Sequence, residues 1–330
     1  MILKGGFAVR QSWVLSGMLG LALGDALGAP VEFGERWMRD MDPITGMREG
    51  GLFDVPAGGF TDDTSMALAT LDSLCGGFSC RAMMERYLAW LRTGAYSLFD
   101  HPIGVGRQVL RALEHYEAHG DLHTCAPCEE MDNGNGALMR ILPVCLYACG
   151  RTEDGVSLTK AVSLIEAATA ITHAHPRSLT ASALYFFAVR GILYTQGDLR
   201  ARLQAGLDEG FAFLAETPLG DQLPHYARIK DLAALSVVPR EAISSSGYVV
   251  HTLEAALWAL ATQPDFKAQL LAAVNLGLDT DTVAAVAGGL AGLYTGYDNL
   301  PTDWLGKLQK REMIESICRQ VAPDSDPTLL

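Results

Sequence analysis

Apolar residues recur at three- and four-residue intervals along most of the chain, the spacing that puts them on one face of an α-helix. The pattern predicts helices over about 64–74, 82–91, 105–113, 137–148, 161–171, 179–194, 249–260, 268–276 and 283–294. Several of these runs are rich in Ala and Leu, which lose little on entering a helix. No stretch alternates like a strand, and no strand–helix–strand rhythm points to a nucleotide-binding sheet. Breakers separate the runs: Gly76-Gly77, Gly94, 132–136, Gly150, Pro176, Gly197, 217–224, Pro239 and Pro264. No biased linker or repeat divides them. The expectation is an all-α protein, one domain over 1–330, with 1–12 and 322–330 as peripheral tails.

One apolar run has a different character. Positions 13–23 are almost continuously apolar and follow Lys4 and Arg10, which imitates a secretory signal. Asp25 and Glu32 come directly after it, and the run is too short to span a membrane. Gly17, Gly20, Gly24 and Gly28 recur within it at helical spacing. Each glycine costs a helix about 1 kcal/mol relative to Ala, and is tolerated where a second backbone must come close. The run therefore reads as a buried helix with a small-residue face. Asp25 on such a helix needs a partner or a polar cavity.

Composition narrows the class without naming it. The 330 residues are 49% hydrophobic and 19% charged, ordinary for a globular protein with a sizeable core. A net charge of −13 argues against nucleic acid as a partner, since that contact relies on clustered Lys and Arg. An anionic substrate would need local positive charge from metals or helix N-termini. Seven cysteines, an odd number in a long chain, read as reduced thiols in a cytoplasm. His119, His123, Cys125 and Cys128 could supply zinc ligands, but no second Cys-x-x-Cys accompanies them and Ala126-Pro127 reads as a turn.

Two acidic strings carry the chemistry. Thr61-Asp62-Asp63-Thr64 and Asp279-Thr280-Asp281-Thr282 each open an apolar helical run. One cap per helix needs a single side chain. Four carboxylates with several hydroxyls exceed that need and suit a pair of hard divalent cations, Mg²⁺ or equally Mn²⁺. Sharing one site would make the chain fold back on itself. Glu32, after Pro30, sits on a connecting segment where it could reach a metal, move a proton, or simply face solvent. The glycine-rich turn at 133–140 is a candidate anion cradle at a helix start. His173 and His175, at a helix break beside Arg177, could ligate metal or donate to a phosphate or sugar. Tyr248, near a helix start after a run of serines, could stack on a base or pack into the core.

In order along the chain, Gly-Asp-Ala-Leu-Gly at 24–28 with Glu32, Thr61-Asp-Asp-Thr64, Gly134-Asn-Gly-Ala-Leu-Met-Arg140, Thr172-His173 with Pro176, Gly247-Tyr-Val-Val250, and Asp279-Thr-Asp-Thr282 with Gly288-Gly289 resemble the ADP-ribosylglycohydrolase family. Any one string is common; six in this order are specific, and they cover about 17–305. The resemblance implies an all-α orthogonal bundle with two Mg²⁺ or Mn²⁺ ions in a cleft. It implies Thr61, Asp62, Asp63, Asp279, Asp281 and Thr282 as metal ligands, with Glu32 at or beside the metals. Asn135, Gly136, Ala137, His173 and Tyr248 would hold ADP-ribose.

The implied activity is hydrolysis of the bond between C1″ of ADP-ribose and an acceptor, usually a protein side chain such as arginine. ADP-ribose or an ADP-ribosylated protein is then the partner. Glu32, Asp63 and Asp281 are the expected catalytic group. The chemistry is consistent, because cleaving a ribosyl bond passes through an oxocarbenium-like state that paired carboxylates serve. Metals would orient ribose hydroxyls and water while Glu32 manages the proton. One departure touches specificity. Many members carry Asp-Ile-Gly before the glycine loop, whereas this chain reads Asp100-His-Pro-Ile-Gly104, with Asp100 displaced by two positions as a candidate acceptor contact. A two-metal phosphoesterase acting on the pyrophosphate and a non-catalytic ADP-ribose binder are the competing readings.

Overall fold

A computed structural model describes residues 10–321; the tail at 322–330 and positions 1–9 lie outside the described residues. The chain is all-α, with no strand among those residues. The first part runs through α1 (Gln11–Gly28), α2 (Arg36–Met41), α3 (Asp62–Ser73), α4 (Cys80–Thr93) and α5 (Arg107–His119). After the glycine loop come α6 (Leu142–Glu153), α7 (Leu158–Ala170), α8 (Pro176–Tyr194), α9 (Leu199–Ala215) and the short α10 (Leu232–Ser236). Then follow α11 (Val249–Thr262), α12 (Phe266–Val274), α13 (Thr280–Thr295), α14 (Thr302–Leu305) and α15 (Arg311–Val321). Each helix expected from the apolar pattern is present, although α5 runs six residues past 113, to His119. α1 already begins at Gln11, inside the stretch read as peripheral.

The expected helices do not include α9, although its buried apolar residues Leu199, Leu203, Leu207, Phe211 and Leu214 recur at helical spacing. Its buried face mixes Leu203, Leu207 and Leu214 with Gly206 and Gly210, because α8 lies so close there. A side chain on Gly206 would run into the Phe187 carbonyl, so glycines share the contact with the apolar side chains. The twelve-residue 3₁₀ run Pro218–Ile229 was invisible, since its three-residue turn does not follow an α-helical period.

The central feature is the seam between α1 and α13. Both helices are buried on all sides for most of their length. They run antiparallel: Gly20 lies against Gly288, Gly24 against Ala284, and Gly28 against Asp281. A Cβ on any of these three α1 glycines would collide with the backbone of α13. The glycine spacing of the sequence thus has its partner, and it brings the C-terminus of α1 to the N-terminus of α13. With its 3₁₀ extension to Val31, α1 is long and apolar enough to cross a membrane, yet that window is wholly buried inside the protein. α3 packs alongside the seam and α15 covers α1 and α3.

Candidate functional site

Three chain segments converge where the seam ends. The last turns of α1 and the segment after it bring Asp25 and Glu32, the start of α3 brings Thr61, Asp62 and Asp63, and the start of α13 brings Asp279, Asp281 and Thr282. Two carboxylate trios form, Asp25 with Asp63 and Asp281, and Glu32 with Asp279 and Asp281; within each the nearest oxygens lie inside 4.8 Å. Asp281 belongs to both. The acidic strings at opposite ends of the sequence therefore meet. Two helix N-termini aim their positive ends at this concentration of negative charge.

Asp25 has a role that sequence reading left open. Its carboxylate accepts from the Thr61 amide at 3.0 Å, the Thr61 hydroxyl at 2.9 Å, the Thr64 amide at 2.9 Å and the Thr64 hydroxyl at 2.6 Å. It caps the first turn of α3 from a neighbouring helix, and its lone pairs are largely occupied. Asp25 is thus better suited to holding the site together than to ligating an ion. The Thr61 hydroxyl also lies 3.2 Å from Asp63 and 3.3 Å from Asp281, joining the two acidic strings.

Burial pushes the carboxyls of Asp25, Asp62, Asp63, Asp279 and Asp281 above their ordinary range. Neighbouring carboxylates add to the rise at Asp62, Asp63 and Asp281, while hydrogen bonds from Asn135 and Thr282 work against it at Asp279. Glu32 is pushed up to about 8, by burial first and then by Asp279 and Asp25. Among the described residues, none of these forms an ion pair with Lys or Arg. Moreover, Asp63 Oδ1 and Glu32 Oε2 are buried and accept no hydrogen bond. Acceptor oxygens stripped of water and left without donors are costly unless a cation meets them. An all-oxygen set with adjacent hydroxyls fits hard divalent cations. The fold thus supplies acidic groups able to hold metal ions, and Asp281 is placed to serve both trios.

The acids form one end of a cleft of about 660 Å³, a volume suited to a nucleotide-sized ligand. Glu32, Asp62, Asp279, Asp281 and Thr282 line it together with Asn135, Gly136 and His173. Asp62 stands apart from both trios and faces Gly104, where any side chain would strike its carboxylate. Ala137 is buried behind the wall.

The glycine loop differs from a simple anion cradle. Its Gly134 amide donates to Gln108 and its Asn135 amide to the Gly247 carbonyl, which leaves the Gly136 and Ala137 amides without an acceptor among the described residues. The Asn135 side chain turns inward instead, donating to Asp279 at 2.7 Å and Thr252 at 2.9 Å. His173 is buried on the cleft wall and held neutral: burial, then the Arg140 guanidinium, push it down to about 3.

Other candidates fall elsewhere. Asp100 is fully exposed, bonded to His101, and does not line the cleft; Gly104 of the same segment does. Two intervening residues and the left-handed turn at Gly104 carry the carboxylate outward. Tyr248, half-buried, follows the lining residue Gly247: it pairs with Gly134 through its backbone and stands edge-on to His251 at 4.9 Å. His175 caps α8, accepting from the Arg177 amide. No metal cluster forms from His119, His123, Cys125 and Cys128 among the described residues, because the Cys125 thiol is buried against the Ile171 carbonyl.

Comparison with known proteins agrees with this arrangement. The family model described as ADP-ribosylglycohydrolase matches residues 8–328. An ADP-ribosyl-[dinitrogen reductase] glycohydrolase of Rhodospirillum rubrum is 33% identical over 311 residues, covering 93% of both chains. An ADP-ribosylarginine hydrolase of Serratia proteamaculans is 32% identical over 314 residues, 94% of this chain and 79% of the relative. A solved structure titled an ADP-ribosylglycohydrolase-related protein complex superposes with a TM-score of 0.75 at 34% identity, over 95% of this chain and 98% of that one. With its two helix-borne acidic strings meeting at one end of a nucleotide-sized cleft, the chain belongs to the ADP-ribosylglycohydrolase family.

Proposed function

We propose that this protein acts as a single-domain hydrolase of the bond between C1″ of ADP-ribose and a protein side chain, with arginine the first acceptor to test. Two relatives whose names specify ADP-ribosylarginine and ADP-ribosylated dinitrogen reductase support the substrate class. The observation that carries the reading is the pair of carboxylate trios sharing Asp281 at the buried end of the cleft. That geometry supports two cations, Mg²⁺ or Mn²⁺, held by Asp63 and Asp281 on one side and Glu32, Asp279 and Asp281 on the other. Thr61, Asp62 and Thr282 would contribute further oxygens to that shell.

When bound, the ions supply positive charge that polarises ribose hydroxyls and water. The protein's own groups do the rest. Glu32 takes up the proton from the water that attacks C1″ as the bond from C1″ to the side chain breaks, and passes it to the departing side chain, while the surrounding carboxylates favour the positive charge that develops on the ribose. The amide of Gly136 and the ring of His173 bind the diphosphate and ribose, with Asn135 holding Asp279 in place and Ala137 packed behind the loop. Tyr248 supports the glycine loop through its backbone pairing with Gly134. All seven cysteines are free, which supports a reducing, cytoplasmic setting.

The test is incubation with an ADP-ribosylated arginine peptide, with Mg²⁺ or with chelator, followed by mass analysis. Metal-dependent release of free ADP-ribose and intact arginine peptide is the expected result. AMP as product would make the protein a phosphoesterase, and tight binding without turnover would make it a binder.

A further inference from the structure

Two of the most exposed large apolar side chains stand at the mouth of the cleft. Phe33 is 62% exposed, Met131 is 91% exposed, and both line it. Phe33 is the more informative. Its φ is 63°, a conformation a bulky aromatic residue adopts only at a cost. Buried residues in such conformations recover the cost through packing. The Phe33 ring recovers little from this chain.

The apolar surface continues along α2. Trp37 and Met41, one helical turn apart, are 57% and 79% exposed. The adjacent side of that short helix is tied down: Arg36 donates to the carbonyls of Leu276 and Arg240 at 2.8 Å each and to Ile243, while Asp40 pairs with Arg240 at 2.6 Å. A firmly anchored element thus presents apolar side chains outward. The same cleft is lined by Arg107, exposed and without an ion pair among the described residues, and by Arg111, a helical turn further along and only loosely bonded to Asp132 at 3.3 Å. Two cations at the mouth of an acidic cleft, in a chain of net charge −13, are a local reversal of sign.

We infer that this rim is a docking surface for the protein that carries the ADP-ribosyl group, reading apolar and acidic residues that flank the modified side chain. Aromatic residues, Met and Arg are the types enriched at the centres of protein interfaces. The rim is continuous with the cleft, so a partner seated on it delivers its modified side chain to the acids below. Arg107 and Arg111 supply complementary charge for an acidic flank and would steer its approach. The inference rests on the hydrolase reading above and adds what recognises the acceptor's surroundings.

The experiment compares two substrates: an ADP-ribosylated protein, and the adduct of ADP-ribose with free arginine. The variants are Met131→Ser and the double change Trp37→Ser with Met41→Ser. Phe33→Asn is a third, since Asn tolerates positive φ. The expected result is a rise of about tenfold or more in KM for the protein, the size of a hot-spot loss, with the free-arginine adduct within about twofold for the first two variants. Arg107→Gln with Arg111→Gln should flatten the salt dependence of KM for the protein. Equal losses on both substrates would assign the rim to the nucleotide, and no loss on either would make it a bystander; each outcome overturns the inference. Failure of the unaltered protein to release ADP-ribose from either substrate would overturn the hydrolase reading and the inference with it.

Discussion

The Phe33 amide donates to the Leu278 carbonyl at 2.7 Å, and Leu278 returns a bond of 2.7 Å to Gly34, although both residues sit at positive φ, 63° and 58°. Phe33 directly follows Glu32 and Leu278 directly precedes Asp279. The paired bonds clamp the two segments that carry these carboxylates, and two unfavourable conformations, about 1–2 kcal/mol each, are borne next to the site. Branching at Cβ makes positive φ harder still. Leu278→Ile, which moves one methyl group, should lower the melting temperature and weaken Mn²⁺ binding several-fold. Leu278→Gly should leave Mn²⁺ affinity near normal. Calorimetric titration of the two variants checks the contrast, and equal affinities would dismiss the clamp.

Asp281 stands in both carboxylate trios and Glu32 in one. Asp281→Ala should therefore abolish detectable metal binding together with turnover. Glu32→Gln should retain at least one ion while losing about 10²–10⁴ in kcat, the range of a lost general base. Asp62→Ala, outside both trios, should weaken metal binding less than Asp281→Ala. Metal titration read beside steady-state rates separates the three.

The raised carboxyl of Glu32 has a consequence for stability without metal. A folded-state pKa of about 8 against an ordinary 4.5 means the folded chain holds a proton that the unfolded chain has released. That contribution is complete below 4.5 and is lost as pH rises through about 8. His173 acts oppositely, between about 3 and 6.5, so the cleaner window lies above 6.5. The melting temperature of chelated protein should fall between pH 6.5 and 8, whereas excess Mg²⁺ should raise it most at the upper end. A chelated protein whose melting temperature climbs across that window would contradict the assignment.

His173 should be a fixed donor. The Thr172 hydroxyl accepts from Arg140 at 2.6 Å and lies 2.9 Å from His173 Nδ1. With Arg140 able only to donate, the hydroxyl proton is free for Nδ1, and Nε2 carries the ring proton beside Gly134 and Gly136. Nitrogen NMR of the imidazole should show the neutral Nε2–H form down to at least pH 5. Thr172→Val should disturb that pattern and raise KM for ADP-ribosylated substrate. A protonated ring at pH 6 would refute the arrangement.

Much of this was legible in the sequence. The acidic strings announced themselves because four carboxylates exceed what two helix starts need, and the glycines of α1 announced a close backbone neighbour without naming it. Asp25 was visible as a charge on an apolar helix, but its partners Thr61 and Thr64 lie 36 and 39 positions away, beyond any local pattern. Asn135 looked like a cradle residue because its turn is glycine-rich; only the packing of α11 and α13 turns its amide toward Asp279. Asp100 failed for the converse reason: a motif two residues longer than the family pattern swings outward. The stripe Leu199, Leu203, Leu207, Phe211 and Leu214 made α9 legible too, although it is missing from the expected helices; only its close approach to α8 through Gly206 and Gly210 lay beyond the pattern.

The seam between α1 and α13 also sets the order in which the molecule comes into being. Thr61 and Asp281 touch across 220 positions, so the acidic end of the cleft is among the most non-local features of the chain. During synthesis the glycine face of α1 waits, uncovered, until nearly all of the other helices have been made. A nascent chain halted before α13 emerges has neither trio and is inert toward modified proteins. Competence for hydrolysis therefore arrives late, when the first turn of α13 meets the last turn of α1.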